Sequence, residues 1–402
     1  MRHIGLDIHR DFCEVAIAED GKVRSAGRIR TTVEELELFA QSLGSDDHVG
    51  LETTGNALTI ARLLEPFVAR VVVADTRNLR AITHAKVKSD PVDARMLARL
   101  LASDMLPEVW RCDEQTRVLR RRVSRRTQLV RQRTRAKNQV HAALIRNVKG
   151  KPPMTDVFGR KGRGWLAELE LPEDERHTVD GCLREIDFVS GEIDTLDRAL
   201  AQHAVSSPDI RRLMTIPGIS RLTAATLMAA IGDVRRFPSP RHLVGYLDLD
   251  PRVRQSGESA ARHGHISKQG DAAARHVLVE AAHSVERAPG PLRAFKRRVQ
   301  ARRGFQIAMV AVARKLATIA WHLLTKQEDY AYARPALTHR KLRQAELAAG
   351  APKRSNPRGS RGPATPDRPA QWHREREVAE QAERAYERLV KDWASVGRRS
   401  EG

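Results

Sequence analysis

Four acidic residues near the start of the chain have the types and spacing of a metal-binding site. Asp7 lies inside one apolar segment and Glu52 directly follows another, while Asp90 and Asp93 stand three residues apart at the start of a helical pattern and share one helix face. A carboxylate among apolar neighbours is costly unless a cation or a donor balances it. Mg²⁺ prefers carboxylate oxygens, and two ions about 3.5–4 Å apart can act together on a phosphodiester. The four acids therefore predict a two-metal phosphodiester site.

Each of these acids also has a purely structural interpretation. Asp7 could be a strand residue next to a turn, Glu52 could be a surface carboxylate, and Ser89 or Asp90 could cap a helix before a proline. Asp11 could replace Asp7 in the site, although a turn position is more commonly solvated. The residues alone leave these alternatives open.

A serine in a glycine-bordered segment is a second candidate for chemistry. Ser256 stands between Gln255 and Gly257, in a stretch that is rich in arginine. A serine beside glycine most often belongs to a turn, and a serine nucleophile needs an activating partner. Both interpretations of Ser256 remain open at this level.

Two further places could contact phosphate groups. Residues 213–225 have the pattern of a helix, a tight Pro-Gly turn and a second helix, which resembles a helix-hairpin-helix. In such a motif the backbone N–H groups near Gly218 would meet a nucleic-acid backbone without reading its sequence. A plain helical corner is the alternative. Lys268, in a polar segment downstream, is a second candidate contact for nucleic acid.

A strongly basic segment lies between these two groups of motifs. Residues 115–155 contain thirteen Lys or Arg residues and no acid, so more than half of the formal net charge of +21 lies here. Spaced apolar residues predict a long helix that packs on one side and meets a polyanion on the other. A solvated helix face is the alternative, although such faces usually mix both signs of charge. The candidate nucleic-acid contacts are Arg121, Arg122, Arg125 and Arg126.

The elements that would position the acids follow from the apolar pattern. The sequence predicts the order βββαβαβ, followed by another helix over residues 91–101. This order matches the RNase H/RuvC-like layout, although other α/β domains could share it. In such a sheet the end of the fourth strand lies beside the first strand, which would bring Glu52 to Asp7. The predicted strands are 4–8, 15–18, 22–29, 49–51 and 68–74, and the helices between them are 33–43 and 57–64.

Helices are predicted for the rest of the chain. A second long helix around residues 183–200 should pack antiparallel to the basic one as a coiled-coil hairpin. The predicted fold class is α/β plus α, with an RNase H/RuvC-like N-terminal domain, a helical coiled-coil spacer and a mostly helical C-terminal domain that carries the helix-hairpin-helix-like motif. A disordered basic linker at 352–369 and a charged helix at 371–393 follow. The predicted domains are 1–112, 113–208, 209–330 and a tail of 331–402.

Composition narrows the class of partner. The chain has 402 residues, with 71 Lys and Arg against 50 Asp and Glu, an excess that indicates a nucleic-acid partner but could also suit a membrane surface. No apolar run approaches the roughly 20 residues needed to span a bilayer, and we expect a cytoplasmic protein with no membrane partner. Cys13, Cys112 and Cys182 lie far apart, which argues against a disulfide framework or a cysteine zinc site.

The motifs together resemble those of the DEDD transposases of the insertion sequence one-ten (IS110) family, also called piv/MooV-type recombinases. The resemblance covers about residues 2–324, and the motifs are specific only in combination. Two departures are visible, because similar sequences often have glycine near Asp248 and lysine near Arg10. The tail beyond about residue 334 is also longer than the family pattern needs. The motifs are GLDIHRDF, GLETTGN, KSDPVDAR, TIPGISRLTAATLMAAIGD, RQSGES and HISKQGD.

The resemblance implies a function and a set of partners. It implies a RuvC-like domain whose four acids bind Mg²⁺, and a second domain whose serine, Ser256 in the SG motif, joins covalently to DNA, with Ser259 and Ser267 as alternatives. It also implies guidance by a structured non-coding RNA, and dimers that pair into tetramers in which the acids of one subunit meet the serine of another. Two rival functions remain, a RuvC-like junction nuclease that uses water and a non-enzymatic nucleic-acid scaffold.

Overall fold

The computed structural model describes residues 1–76, 78–79, 89–255, 257, 260–353 and 368–399. The chain forms two compact units, Met1–Arg111 and Cys112–Gly402. The first unit ends beside the predicted boundary at residue 112. The three segments predicted downstream all belong to the second unit.

The first unit is built on a five-stranded mixed sheet with the strand order β3-β2-β1-β4-β5. β1, β2 and β3 form an antiparallel meander, while β4 and β5 continue the sheet parallel to β1. This α/β arrangement agrees with the predicted order of elements. The strands are β1 (His3–Ile8), β2 (Phe12–Glu19), β3 (Lys22–Arg30), β4 (His48–Glu52) and β5 (Arg70–Ala74), and the helices are α1 (Val33–Gln41), α2 (Ala57–Leu64) and α3 (Asp90–Ala102).

The two faces of β1 have different partners because strand side chains alternate. Ile4, Leu6 and Ile8 are buried in a core shared with α1 and α2. On the opposite face lies Gly5, where an added Cβ would overlap the backbone of α3. Asp7 is two residues from Gly5 along the strand, so it lies on the same face, which α3 covers.

The second unit begins with two long helices, α4 (Glu114–Arg146) and α6 (Glu173–Ser206), which pack antiparallel. Leu119 near the start of α4 shares a core with Leu200 near the end of α6, and Val140 near the end of α4 packs with Val179 near the start of α6. A short helix, α5 (Arg160–Glu168), lies in the connection between them. The predicted helical hairpin is therefore present.

The remainder of the second unit is mostly helical and includes a two-stranded antiparallel sheet that the sequence analysis did not predict. The hairpin consists of β6 (Pro251–Arg254) and β7 (Arg262–Ile266). Its strands are short and mostly polar, so they lack the apolar alternation that marks a strand in a sequence. The helices around it are α7 (Pro208–Leu213), α8 (Arg221–Ile231), α9 (Pro240–Tyr246), α10 (Ala272–Ser284), α11 (Pro291–Arg303) and α12 (Phe305–Lys326).

Helix α12 departs from the expectation that no segment is long and apolar enough to cross a membrane. By length and composition it passes that test, and half of its most apolar stretch is buried within the unit. Its buried residues, which include Val312, Leu316 and Ala320, belong to the central core of the second unit. The helix is apolar because it is packed on several sides.

The tail folds back onto the second unit through α13 (Pro335–Ala349) and α14 (Arg368–Arg399). Lys341 of α13 donates hydrogen bonds of 2.7 and 2.8 Å to the carbonyls of Met214 and Ile216, which join α7 to α8. The predicted charged helix at 371–393 thus lies within α14. Most of the predicted linker, residues 354–367, lies outside the described residues.

Candidate active site

Asp7 and Glu52 lie side by side at one end of the sheet. β1 and β4 are parallel, with Gly5 opposite Gly50 and Leu6 opposite Leu51, so the next residue of each strand is an acid of the predicted tetrad. Asp7 is buried, with 7% of its surface exposed, and Glu52 is half-buried. The register places both acids on the same face.

Helix α3 brings the other two acids to this face. Asp90 and Asp93 lie in its first turn, and Ser89 occupies the N-cap position. The helix can approach because β1 has glycine at position 5, where a Cβ would overlap the carbonyl oxygen of Ala94 and the backbone nitrogen of Ala98. A close backbone approach of this kind needs a residue without a side chain.

A histidine that the sequence analysis did not single out links two of the acids. The Nε2 atom of His9 lies 3.1 Å from Oδ2 of Asp7 and 3.4 Å from Oδ1 of Asp90. The imidazole stacks on Phe12, with 4.7 Å between the ring centroids. Asp7, His9 and Asp90 therefore offer three possible metal ligands within 4.8 Å of one another.

An arginine supports this cluster from the neighbouring strands. Arg28 on β3 donates a 2.7 Å hydrogen bond to buried Glu14 on β2, and its guanidinium lies 4.3 Å from the centre of the Phe12 ring. The same guanidinium is 3.7 Å from Asp90. Glu14 is the register partner of Asp7 on the adjacent strand, and Arg28 therefore links this acid to Asp90 of the cluster.

The pKa of Asp7 is shifted by burial and by the charged groups close to its carboxylate. Burial raises the pKa of Asp7, the charge and hydrogen bond of His9 lower it, and Asp93 and Asp90 raise it again, with a net increase. Burial and like charges both disfavour the ionised form, and a bound cation would reverse that penalty. The residues present thus fit a divalent metal.

The alternative acid in the turn is placed differently. Asp11 is exposed, and its backbone carbonyl accepts a hydrogen bond from Thr31 N–H at 3.1 Å. Asp7, and not Asp11, is the aspartate that lies against α3.

The candidate serine nucleophile belongs to the segment between the two strands of the polar hairpin. Ser256 and Ser259 lie outside the described residues, between β6 and β7 in the sequence. The strands that flank them pair Arg254 with Arg262, and both arginines are exposed. Gly257 has a positive φ of 57°, a backbone conformation that glycine adopts readily.

Ser267, the other alternative, uses its hydroxyl in a structural contact. Its Oγ donates a 2.7 Å hydrogen bond to Oδ1 of Asp248, which also accepts from the N–H of Ser267, while Oδ2 accepts from Gln269 N–H at 2.6 Å. Asp248 has a φ of 54°, and Lys268 one of 61°. The left-handed conformation at position 248 is one that glycine adopts at little cost.

The four arginines proposed for nucleic-acid contact do not share one face. Arg126 is paired with Asp197 of α6, and Arg122 lies near His203 in a cavity of about 950 Å³ at the base of the hairpin. Arg121 and Arg125 are exposed. The basic segment contains no acid, but α6 provides an acidic partner for at least one of its arginines. This pairing depends on how the two helices pack, so it could not be predicted from the spacing of residues in the sequence.

The Pro-Gly turn also has a packing role. Gly218 has a φ of 91°, and a Cβ there would lie 2.5 Å from Oγ of Ser284 and 3.0 Å from the carbonyl of Ala281. Ser220 caps the following helix by accepting a hydrogen bond from Thr223 N–H at 3.2 Å. Close contact with α10 is sufficient to require glycine at this position.

Comparison with known proteins identifies the family. A family model described as a transposase of the DEDD IS110 type matches residues 4–147, and a model for the transposase IS116/IS110/IS902 family matches residues 210–297. Together they cover more than half of the chain. They include both the acids at the sheet end and the hairpin that flanks Ser256.

Individual relatives agree with these matches. A putative transposase of Sinorhizobium fredii is 28% identical over 285 residues, covering 69% of this chain and 70% of that protein. The transposase for insertion sequence element IS1328 of Yersinia enterocolitica is 27% identical over 69% of this chain and 84% of that protein. A pilin gene-inverting protein of Moraxella bovis is 29% identical over 61% of this chain and 68% of that protein.

The matched domains and the cluster of acids define a transposase, an enzyme that recombines DNA. The chain belongs to the IS110 family of DEDD transposases. Membership of this family implies DNA substrates and the use of a divalent metal, for which Asp7, His9 and Asp90 form a possible site.

Proposed function

We propose that this transposase cuts and rejoins DNA with Asp7, Glu52, Asp90 and Asp93 as a metal-binding tetrad and Ser256 as the nucleophile. The observation that supports it most is the meeting of the acids at one end of the sheet, where Asp7 is buried beside Asp90 and in register with Glu52. The strand order and the position of α3 support a RuvC-like fold for the first unit.

The chemistry needs no external oxidant or activated cofactor. Two Mg²⁺ ions would neutralise the phosphate oxygens and polarise the scissile phosphate. Ser256 Oγ attacks phosphorus and loses its proton to solvent, the new Oγ–P bond forms as the bond to the leaving deoxyribose oxygen breaks, and that oxygen takes up a proton. A hydroxyl of the second DNA strand then loses its proton and attacks the phosphoserine, the Oγ–P bond breaks, and the released serine oxygen takes up a proton.

The partners follow from the same proposal. A structured guide RNA selects the donor and target DNA, and dimers pair into tetramers in which the acids of one subunit act with Ser256 of another.

Segments of the second unit have separate roles in this proposal. The hairpin of α4 and α6 serves as a coiled-coil spacer. The turn at Gly218 acts as a helix-hairpin-helix, and both this turn and Lys268 contact DNA phosphates. The exposed arginines Arg252, Arg254 and Arg262, which flank Ser256 in the sequence, would favour an approaching DNA strand. The protein acts in the bacterial cytoplasm, on the nucleoid.

A denaturing gel of the protein with labelled target DNA, guide RNA and Mg²⁺ tests the proposal. A covalent adduct that maps to Ser256 is expected, and Asp7→Asn or Asp93→Asn should abolish cleavage while RNA binding remains. Free cut ends without an adduct would identify a water-using nuclease. No cleavage with binding retained would identify a scaffold, and wild-type recombination by both aspartate variants would refute the tetrad.

A further inference from the structure

Helix α14 places a buried glutamate on the N-terminus of α11. Glu383 is 5% exposed, and its Oε2 accepts hydrogen bonds from Gly290 N–H at 3.1 Å and from Arg293 Nη2 at 2.6 Å. Its Oε1 accepts from Arg293 Nε at 2.9 Å and lies 3.8 Å from Arg297 Nη1. Backbone N–H groups at a helix N-terminus and a bidentate arginine are the donors that bind phosphate oxygens.

The helix beneath this carboxylate is strongly basic. α11 contains six Lys or Arg residues and no acid. Glu286, which precedes the helix, accepts hydrogen bonds from Lys296 and Arg297, while Arg302 and Arg303 near the helix end are exposed. Glu286 balances part of this charge, but without α14 the guanidinium of Arg293 would lose its carboxylate partner, and the surface would keep an excess of positive charge of the kind that attracts nucleic acid.

The same face of α14 presents aromatic rings to arginines. Trp372 lies beneath both Arg334 and Arg340, with 5.2 and 5.3 Å between the guanidinium carbons and the ring centre. Tyr386 lies 5.7 Å from Arg298 in the same way. Proteins also stack unpaired nucleic-acid bases on arginine guanidinium groups, so a base could take the place of these aromatic rings.

A second carboxylate repeats the contact at a different helix. Glu375, two turns before Glu383 on the same helix, accepts a 2.9 Å hydrogen bond from Ala336 N–H in the first turn of α13. The inward face of α14 therefore places two acids against helix N-termini, and an aromatic ring on either side of these acids in the sequence against arginines. This is the set of groups that a nucleic-acid strand offers as phosphates and bases.

We propose that Gly290, Arg293 and Arg297 form a binding site for a nucleic-acid phosphate, and that Glu383 of α14 occupies this site as an internal mimic until nucleic acid displaces the helix. All three residues of the site lie inside the second family match, whereas α14 lies beyond both matches. This inference rests on the nucleic-acid binding in the proposed function, but not on its cleavage chemistry.

The full-length protein tests the proposal through Glu383→Gln, with Glu387→Gln, an exposed acid on the same helix, as the matched control. Binding of a labelled DNA duplex and of an RNA strand of equal length is measured over a range of salt. Glu383→Gln should bind at least one of them about three- to tenfold more tightly, because the open form is no longer suppressed. Its slope of log affinity against log salt should steepen by about 0.7–0.9 for each phosphate gained.

A second variant identifies the site itself. Adding Arg293→Gln to Glu383→Gln should return affinity and slope to the wild-type values. The nucleic acid with the larger gain identifies the source of the phosphate. Equal effects of Glu383→Gln and Glu387→Gln would overturn the proposal, since a change of net charge would then explain both.

If Glu383→Gln fails to fold, hydrogen exchange of the wild-type protein tests whether nucleic acid displaces α14. Displacement predicts faster amide exchange in residues 371–390 when nucleic acid is bound, and unchanged exchange with nucleic acid bound would refute it. A wild-type protein that binds no nucleic acid even at low salt would instead contradict the proposed function. The two failures are thus distinguishable.

Discussion

Gly5 and Gly50 are register partners on the adjacent parallel strands β1 and β4, each two residues before an acid of the proposed tetrad. A Cβ at Gly5 would overlap the backbone of α3, and one at Gly50 would lie 2.8 Å from a methyl carbon of Leu106. The repeated Gly-Leu-acid pattern thus serves two purposes. The glycine admits α3 and the segment that follows it, and the acid two residues later points to the same side.

Replacing Gly5 with alanine should separate α3 from the sheet. Since backbone would have to move, we expect Gly5→Ala to lower the free energy of unfolding by about 3 kcal/mol or more and to weaken Mn²⁺ binding. Chemical denaturation and metal titration measure the two effects. Gly55→Ala, where an added Cβ meets nothing within 4 Å, is the matched control. Equal stability of the two variants would contradict the close approach.

His9 is expected to contribute to the metal site. Its Nε2 lies near Asp7 and Asp90, so His9→Gln should reduce Mn²⁺ affinity by about tenfold, as loss of a supporting ligand group typically does. Electron paramagnetic resonance of bound Mn²⁺ reports the affinity independently of cleavage. His3→Gln, at the opposite end of β1, should have no effect, and an unchanged affinity in His9→Gln would exclude the role.

The arginines of the basic helix α4 should fall into two groups, those that bind nucleic acid and those that stabilise the fold. Arg121→Gln with Arg125→Gln removes exposed charges and should flatten the slope of log affinity against log salt by up to about 0.7–0.9 per contact, with little change in stability. Arg126→Gln breaks the pair with Asp197 and should instead lower stability. Salt titrations and denaturation curves distinguish the groups. An unchanged slope in the double variant would show that this face is only solvated.

Asp248 should make stability depend on pH in the acidic range. Burial raises the pKa of Asp248, but the hydrogen bonds from Ser267, Gln269 and Gly270 outweigh it and hold the pKa below its ordinary value of 3.8. The folded state therefore favours the carboxylate, so its stabilisation is complete above about 3.8 and disappears as the pH falls further.

The corresponding variant is Asp248→Asn. It should cost about 1–3 kcal/mol at neutral pH, since buried donors lose a charged acceptor. The difference from wild type should shrink as the pH falls below 3.8. Denaturation at several pH values measures it, with Asp250→Asn as the control. A difference that is independent of pH would contradict the assignment to the carboxylate.

Complementation tests the proposed composite site. Ser256→Ala and Asp7→Asn should each fail to form the covalent adduct, while a mixture of the two should recover part of the activity because some assemblies contain one intact acid cluster and one intact serine. Adduct formation on a denaturing gel is the measurement. A mixture as inactive as its components would contradict sharing between subunits, and an adduct in Ser256→Ala alone would move the nucleophile elsewhere.

The sequence by itself determined the local elements of this protein and its family motifs. Period-two alternation in β1 and the helical spacing in α3 are set by neighbours along the chain, and so the βββαβαβ order and the four acids could be predicted. The long basic helix was predictable for the same reason. Its apolar residues, such as Val123, Val140 and Leu144, fall on one face of a helix, whatever the helix packs against.

The tertiary structure decided which side chains meet. Neither the contact of His9 with Asp90 nor the pairing of Arg126 with Asp197 has a signal in local spacing, because each depends on how separate elements pack. The polar hairpin of β6 and β7 escaped prediction because no buried face imposes a pattern on it. Glu383 is the extreme case, since its charge is balanced by Gly290 and Arg293, about ninety residues earlier in the chain. Burial of such a charge is favourable only once the fold has brought its donors together.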